Sequence, residues 1–307
     1  AGLDPRRVMT PDRLLDPEQP RTANLLKGGI VYANHVTTVS PRYAWEIRFT
    51  EQGMGLQETL RIHGEKLTGI LNGIDGATWD PRTDSYIARH FGSDSLPEKA
   101  VNKSELRNRF GLEQAHKPLV SVISRLDHQK GVELIAHAVR HSLSRGCQVV
   151  LLGSAQEPAI AARFLALKGE LHGNADCHLE LGYDERLAHQ IYAAADIIVI
   201  PSLYEPCGLT QMIAMKYAVV PVARRVGGLV DTVFDANFCD QPFERRTGYL
   251  FDDPTPQGLE SALDRAIGLW FEYPQYFRQL RLNGMAMDHS WQDPAQKYVE
   301  IYERIRA

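Results

Sequence analysis

From residue 118 onward the chain alternates short, mostly apolar runs with longer stretches whose apolar residues recur every three or four positions. "PLVSVIS" (118–124), "CQVVLLG" (147–153), "CHLELGY" (177–183), "DIIVIPS" (196–202) and "AVVPVAR" (218–224) read as strands. Between the first two, "KGVELIAHAVRHSL" sets Val132, Ile135, Val139 and Leu143 on one side of a helix. "EPAIAARFLALKGEL", "ERLAHQIYAAA", residues 209–217 and "GLVDTVFD" read as the helices that follow the later strands. Strands with few polar interruptions, each followed by a helix, specify an α/β fold with a parallel sheet covered on both faces.

The flanking regions are less regular. Residues 22–34 read as a helix with a glycine pair inside, 35–40 as a short strand stopped by Pro41, and "PRYAWEIR" as a helix with proline in its first turn. "KLTGILNGID" (66–75) reads as one or two strands closed by Asn-Gly and Asp-Gly turns, and 81–117 as polar and helical around "KSELRNRFGL". The tail, "GLESALDRAIGLWF", "PQYFRQLRLNGMAM" and "DPAQKYVEIYERIR", reads as helices with packing aromatics. One Rossmann-like domain is therefore expected over residues 66–285, with 1–65 and 286–307 outside it and neither large enough for a core of its own.

Composition narrows the function. The 307 residues are 44% hydrophobic and 23% charged, with a formal net charge of -4. Mean hydropathy is -0.29 and the pI is near 6.3. That balance has no broad attraction for polyanions, so no nucleic acid partner is expected. Cys147, Cys177, Cys207 and Cys239 have no CxxC spacing and read as free thiols. His128, His137, His172 and His178 show no ligand spacing, so no metal site is expected. No apolar run reaches 18 residues, and the polar, loop-like opening at 1–20 has no signal-peptide core, so no membrane span is expected.

Parallel sheets of this kind bind ligands beyond the carboxyl ends of their strands. The loops there, 124–131, 153–156, 182–185, 201–208 and 224–228, carry Arg125, Lys130, Tyr183, Glu205, Arg224 and Arg225. Arg125 and Lys130, five residues apart, either converge on a diphosphate or belong to a solvated loop. Cys207, Gly208, Leu209, Thr210 and Gln211 open a helix whose first amides lack internal partners, an arrangement suited to phosphate. Gly227 and Gly228 repeat it at the next helix. Glu205 has two readings, a cap on the helix after it or an acceptor for a sugar hydroxyl. Tyr183 stacks on a base or packs in the core. No GxGxxG follows a strand, which argues against a nicotinamide enzyme such as a nucleotide-sugar epimerase, and neither a nucleophile elbow nor a Walker lysine is present.

The set "LLKGGIVYANHVTTVSP", "GILNGID", "VISRLDHQKG", "PSLYEPCGLTQMIAMKYAVVPVARRVGGLVDTV" and "HSW" resembles the bacterial glycogen synthases and plant starch synthases, in wording most like the soluble plastidial classes III and IV. The resemblance implies a GT-B enzyme, with two facing Rossmann-like domains and the donor in the cleft. It also implies a retaining transfer of glucose from ADP-glucose, with no cofactor, to the non-reducing end of an α-1,4-glucan. By the same resemblance Arg125 and Lys130 bind the diphosphate and stabilise the leaving ADP. Glu205 contacts the glucosyl hydroxyls, Tyr183 stacks on adenine, and Leu209, Thr210 and Gln211 form the phosphate- and ribose-binding helix start. The second glutamate of related families is replaced here by Ile213, as expected for this one. A plastid stroma and complexes with other starch-synthesis proteins are further implications. The family's "KTGGL" and "HN" loops are not in the sequence, so residues 1–65 are expected to be the end of the acceptor-side domain and 286–307 a helix crossing back to it. A non-catalytic ADP-sugar- or glucan-binding scaffold is the alternative.

Overall fold

The structure is a computed structural model that describes residues 4–19 and 21–306. Parts of the expected opening loop, residues 1–3 and 20, lie outside the described residues, as does residue 307. The chain divides into two compact units, Ala1–Gly73 with Trp291–Ala307, and Ile74–Ser290.

The smaller unit begins with the single turn α1 (Pro5–Val8), followed by α2 (Leu25–Tyr32), β1 (Val36–Thr38), α3 (Pro41–Phe49), α4 (Gln57–Ile62) and β2 (Leu67–Gly69). Asn24 caps α2 through the Lys27 amide, so this helix is shorter than the expected 22–34, whereas α3 starts as expected, with Ser40 capping through the Tyr43 amide and Pro41 just inside. Contrary to the expectation that this region is too small for a core of its own, Ile30, Ile47, Leu56 and Leu60 form one. The boundary expected after residue 65 lies instead after Gly73, because β2 pairs in parallel with β1, Val36 opposite Leu67.

The larger unit holds α5 (Lys99–Phe110), β3 (Leu119–Arg125), α6 (Val132–Ser144), β4 (Gln148–Ser154), α7 (Pro158–Glu170), β5 (Cys177–Leu181), α8 (Glu185–Ala194), β6 (Ile197–Ile200), α9 (Thr210–Lys216), β7 (Val220–Arg224), α10 (Gly227–Thr232), β8 (Tyr249–Phe251), α11 (Pro256–Glu272) and α12 (Pro274–Ala286). The six strands form one sheet in the order β5-β4-β3-β6-β7-β8, every pairing parallel. Alternate residues serve opposite faces. Val149 and Leu151 join a core with α6, α7, α11 and α12, while Val150 and Leu152 join Leu106, Leu187 and Ile191 from α5 and α8. That two-sided burial is why the strands carry so few polar residues.

Four expectations change. Residues 81–98 are irregular apart from a short turn at Leu96–Glu98, and helix begins only at Lys99, because the stretch is dense in turn formers such as Asp80-Pro81 and "GSDS". The helix expected over 228–235 stops at Thr232. β8 was not expected at all; it makes the sixth strand by pairing Val222 with Tyr249. The boundary expected after residue 285 falls after Ser290, since the His289 carbonyl accepts from the Ile74 amide at 2.8 Å. The last helix, α13 (Gln292–Arg306), belongs to the smaller unit, where Arg304 meets His35. No helix among the described residues is long and apolar enough to cross a membrane.

Candidate active site

The chain's strand order reverses between β3 and β6: β4 and β5 lie beyond one, β7 and β8 beyond the other. A crevice opens at the carboxyl ends of the strands at such a reversal. The loop leaving β3 is folded by Asp127, whose Oδ1 accepts from the Lys130 amide at 3.0 Å. Gly131 follows with φ +71°, and a Cβ there would stand 2.4 Å from the Pro201 carbonyl, so only glycine lets this loop press against the end of β6. The Leu203 amide donates to the Gln129 carbonyl at 2.8 Å and fastens the two loops together. The result brings Lys130 Nζ to 2.5 Å from Glu205 Oε2, an oxygen that also accepts from Ser202 Oγ at 2.9 Å.

Glu205 Oε2 thus forms an ion pair that spans two loops. The Lys130 and Glu205 side chains are only 18% and 8% exposed, so the pair is shielded from water. A charge-assisted bond in such surroundings is strong, and removing one partner strands the other.

Arg125 shares the loop but not the burial. Its side chain is 63% exposed, bound to Asp127 Oδ2 at 2.8 Å and to Gln129 Oε1 at 3.1 Å. Tyr183 follows β5 at the sheet's edge and is 84% exposed, its hydroxyl 3.5 Å from Glu185 Oε2. Of the two readings of Tyr183, core packing is therefore excluded. Three strand spacings separate β5 from β6, roughly 14 Å. Arg224 and Arg225 are tied down: Arg224 donates to the Leu203 and Asp252 carbonyls, and Arg225 pairs with Asp252 at 2.9 Å.

The loop after Glu205 is held by backbone. A Cβ on Gly227, whose φ is +43°, would lie 1.9 Å from the Glu205 carbonyl oxygen, and one on Gly228 would lie 2.0 Å from that of Cys207. The Gly228 amide donates to the Glu205 carbonyl at 3.0 Å. Gln211 is fully buried; its Nε2 donates to the Gly208 carbonyl at 2.8 Å and to Thr232 Oγ1 at 3.0 Å, clamping the start of α9 to α10. Cys207 is buried, whereas Leu209 and Thr210 reach the surface. Gly208, with φ +73°, makes the turn into α9. The sequence reading missed Ser202 and Gln129; the spacing of Ser202, three residues before Glu205, was the available signal. Burial pushes the Cys147 and Cys177 thiols up to about 12, which leaves both protonated and inert near neutrality.

Residues 103–279 match the family described as "Glycosyl transferases group 1", and residues 3–62 match the "Starch synthase catalytic domain". The chain belongs to the group 1 glycosyl transferases. Among its relatives is "Glycogen synthase 1" of Nitrosococcus oceani, 58% identical over 99% of this chain and 63% of that protein. "Glycogen synthase 2" of Methylococcus capsulatus is 51% identical over the whole chain and 63% of that protein. A solved structure, "Catalytic domain of Starch Synthase IV from Arabidopsis thaliana bound to ADP and acarbose", superposes with a TM-score of 0.94 at 43% identity, covering 99% of this chain and 62% of that one. The family resemblance read from the sequence is borne out, as is the Rossmann-like parallel sheet of a GT-B glycosyltransferase. The chain spans about 63% of the length of the curated relatives it matches.

Proposed function

We propose that the protein carrying this group 1 glycosyl transferase chain moves glucose from ADP-glucose to the non-reducing 4-hydroxyl of an α-1,4-glucan with retention of anomeric configuration, using no further cofactor. The observation that carries the reading is the shielded Lys130–Glu205 pair at the β3/β6 reversal. The likeness to two glycogen synthases, and to an Arabidopsis chain solved with ADP and acarbose, supports the donor and acceptor classes.

In this reading the bond from the glucosyl carbon to the diphosphate breaks, negative charge develops on the departing ADP, and the acceptor oxygen forms the new bond as its proton passes to the departing diphosphate oxygen. Lys130, with Arg125 at the rim, offsets that charge, and a cation placed in advance stabilises the transition state more than the ground state. Lys130 turning to the phosphate frees Glu205 Oε2 for glucosyl hydroxyls. Tyr183 stacks on adenine, and the amides of Leu209 and Thr210 meet phosphate or ribose. Cys207, Gly208, Gln211, Gly227 and Gly228 serve the donor by fixing the loop it contacts. The smaller unit is proposed as the end of the acceptor-side domain, supported by the match at residues 3–62. A plastid setting and complexes with other starch-synthesis proteins are carried forward from the family resemblance as part of the proposal.

Labelled ADP-glucose supplied to the full-length protein with malto-oligosaccharide tests the proposal. Glucan lengthening with stoichiometric ADP release is expected. ADP binding without transfer would establish the scaffold reading in its place.

A further inference from the structure

Away from the crevice, α6 and α11 face each other with four polar residues. His137 and His141 stand one turn apart on α6, and Glu260 and Asp264 one turn apart on α11. The two helices are locked in register by Ile135, Val139, Leu259 and Leu263 in the core beneath. His137 Nε2 lies 2.7 Å from Glu260 Oε1, and His141 Nδ1 lies 3.6 Å from the same oxygen. The nearest ligand atoms of these three residues all lie within 4.8 Å of one another. Ligands of a tetrahedral zinc ion at 2.0–2.1 Å stand roughly 3.3 Å apart, so rotamer adjustments of well under 2 Å make room for an ion.

The fourth residue completes the argument. Asp264 Oδ1 is 2.7 Å from His141 Nε2 and is also held by Arg145 Nε at 3.0 Å. An ionised carboxylate there accepts from Nε2–H, which leaves the Nδ1 lone pair on the side of Glu260. Metal-bound imidazoles carry this outer carboxylate bond because it fixes the tautomer and raises ligand basicity. His137 and Glu260 are about one-third exposed, so an ion and a water ligand have access from solvent. Two imidazoles with one carboxylate favour zinc-class transition metals over magnesium or calcium.

We infer that His137, His141 and Glu260 form a binding site for a divalent transition metal of the zinc class, oriented by Asp264 and completed by water, which ties α6 to α11. The sequence reading expected no metal site because it took His137 without His141, its partner one turn on; Glu260, 123 residues after His137, joins them through the packing of two helices distant in sequence.

The test uses Co²⁺ and Zn²⁺ with the untagged full-length protein. Co²⁺ is expected to give the visible absorption of a tetrahedral nitrogen and oxygen site, without the thiolate charge-transfer band that the cysteines would add. Zn²⁺ is expected to raise Tm. His137→Ala and Glu260→Gln, both at partly exposed positions, should each abolish the Co²⁺ signal while keeping the metal-free Tm within a few degrees. Asp264→Asn should weaken binding about 10- to 100-fold without removing a ligand. A Co²⁺ spectrum or Zn²⁺ stabilisation unchanged in His137→Ala and Glu260→Gln overturns the proposal, as does a spectrum dominated by thiolate or no binding at all.

Discussion

The two ends of the six-stranded sheet both bury lysine, and they use it differently. At the amino end, Lys99 donates to the carbonyls of Tyr192, Ala193 and Tyr217, closing the carboxyl ends of α8 and α9. Burial holds its ammonium well below the ordinary lysine range, Arg281 adding to the effect. Beside it Asp196 bridges Lys103, at 2.6 Å, and the first amide of β3, at 2.8 Å. Burial pushes the Asp196 carboxyl up, but Lys103, Arg281 and these bonds outweigh it and hold it below the usual range. Every charge there is committed to groups of the fold. At the carboxyl end Lys130 has one carboxylate partner on a different loop, with Arg125 exposed at the rim. A buried charge that satisfies backbone is structural; one paired across a crevice can exchange its partner for a ligand.

Substitutions at the two ends should therefore separate turnover from stability. Lys130→Ala in the full-length protein should lower kcat by roughly 10²-fold or more, the scale of losing one preorganised donor; steady-state transfer assays check it, and an unchanged kcat removes Lys130 from the chemistry. Lys99→Met strands three carbonyls and should cost about 3 kcal/mol in denaturant unfolding, with specific activity of the folded fraction unchanged. A drop in specific activity there would erase the contrast between the ends. Glu205→Gln keeps an acceptor for Lys130 but loses the charge, and should cut turnover by about tenfold or more while calorimetry finds ADP still bound. Lost folding with normal specific activity would return Glu205 to a structural role. The last effect, seen only at acid pH, concerns a partly buried histidine. His289 has its Nε2 buried with no hydrogen-bond partner among the described residues, and burial pushes its pKa down to about 4. The unfolded chain protonates it near 6.5, so its contribution is complete above that pH and is lost as pH falls from 6.5 to 4. His289→Gln should flatten that part of the stability profile, by at most about 3 kcal/mol.

What the sequence made legible follows from where each signal resides. Five strands announced themselves because both faces of the sheet are covered, so runs such as Val149–Leu152 carry no polar residue. β8 has three residues between Thr247 and Asp252 and becomes a strand only by pairing with β7. The convergence of Lys130 and Glu205 on one end was readable from the strand-end rule. Their direct bond was not, because adjacency of β3 and β6 is a property of sheet order. Gln211 is assigned to the donor-binding helix start by resemblance; its bonds to α10 and the preceding loop were not legible because they come from the packed fold. Gly227 and Gly228 read in the sequence as a second phosphate-type helix start, and the structure gives them a packing role as well. The reason for that role is the close approach of the Glu205 and Cys207 carbonyls.

That fastening has an implication for redesign. The loops around the crevice are joined by atoms every residue possesses: the Leu203 amide to the Gln129 carbonyl, the Gly228 amide to the Glu205 carbonyl, and glycines laid against carbonyl oxygens. Side chains at Leu203, Tyr204 and Leu209 take no part in those backbone joints, so a library that varies them should keep its members folded while changing which sugar nucleotide is accepted. Positions 131, 227 and 228 should tolerate nothing larger than hydrogen. The scaffold thereby separates the positions available for new specificity from those that hold its shape.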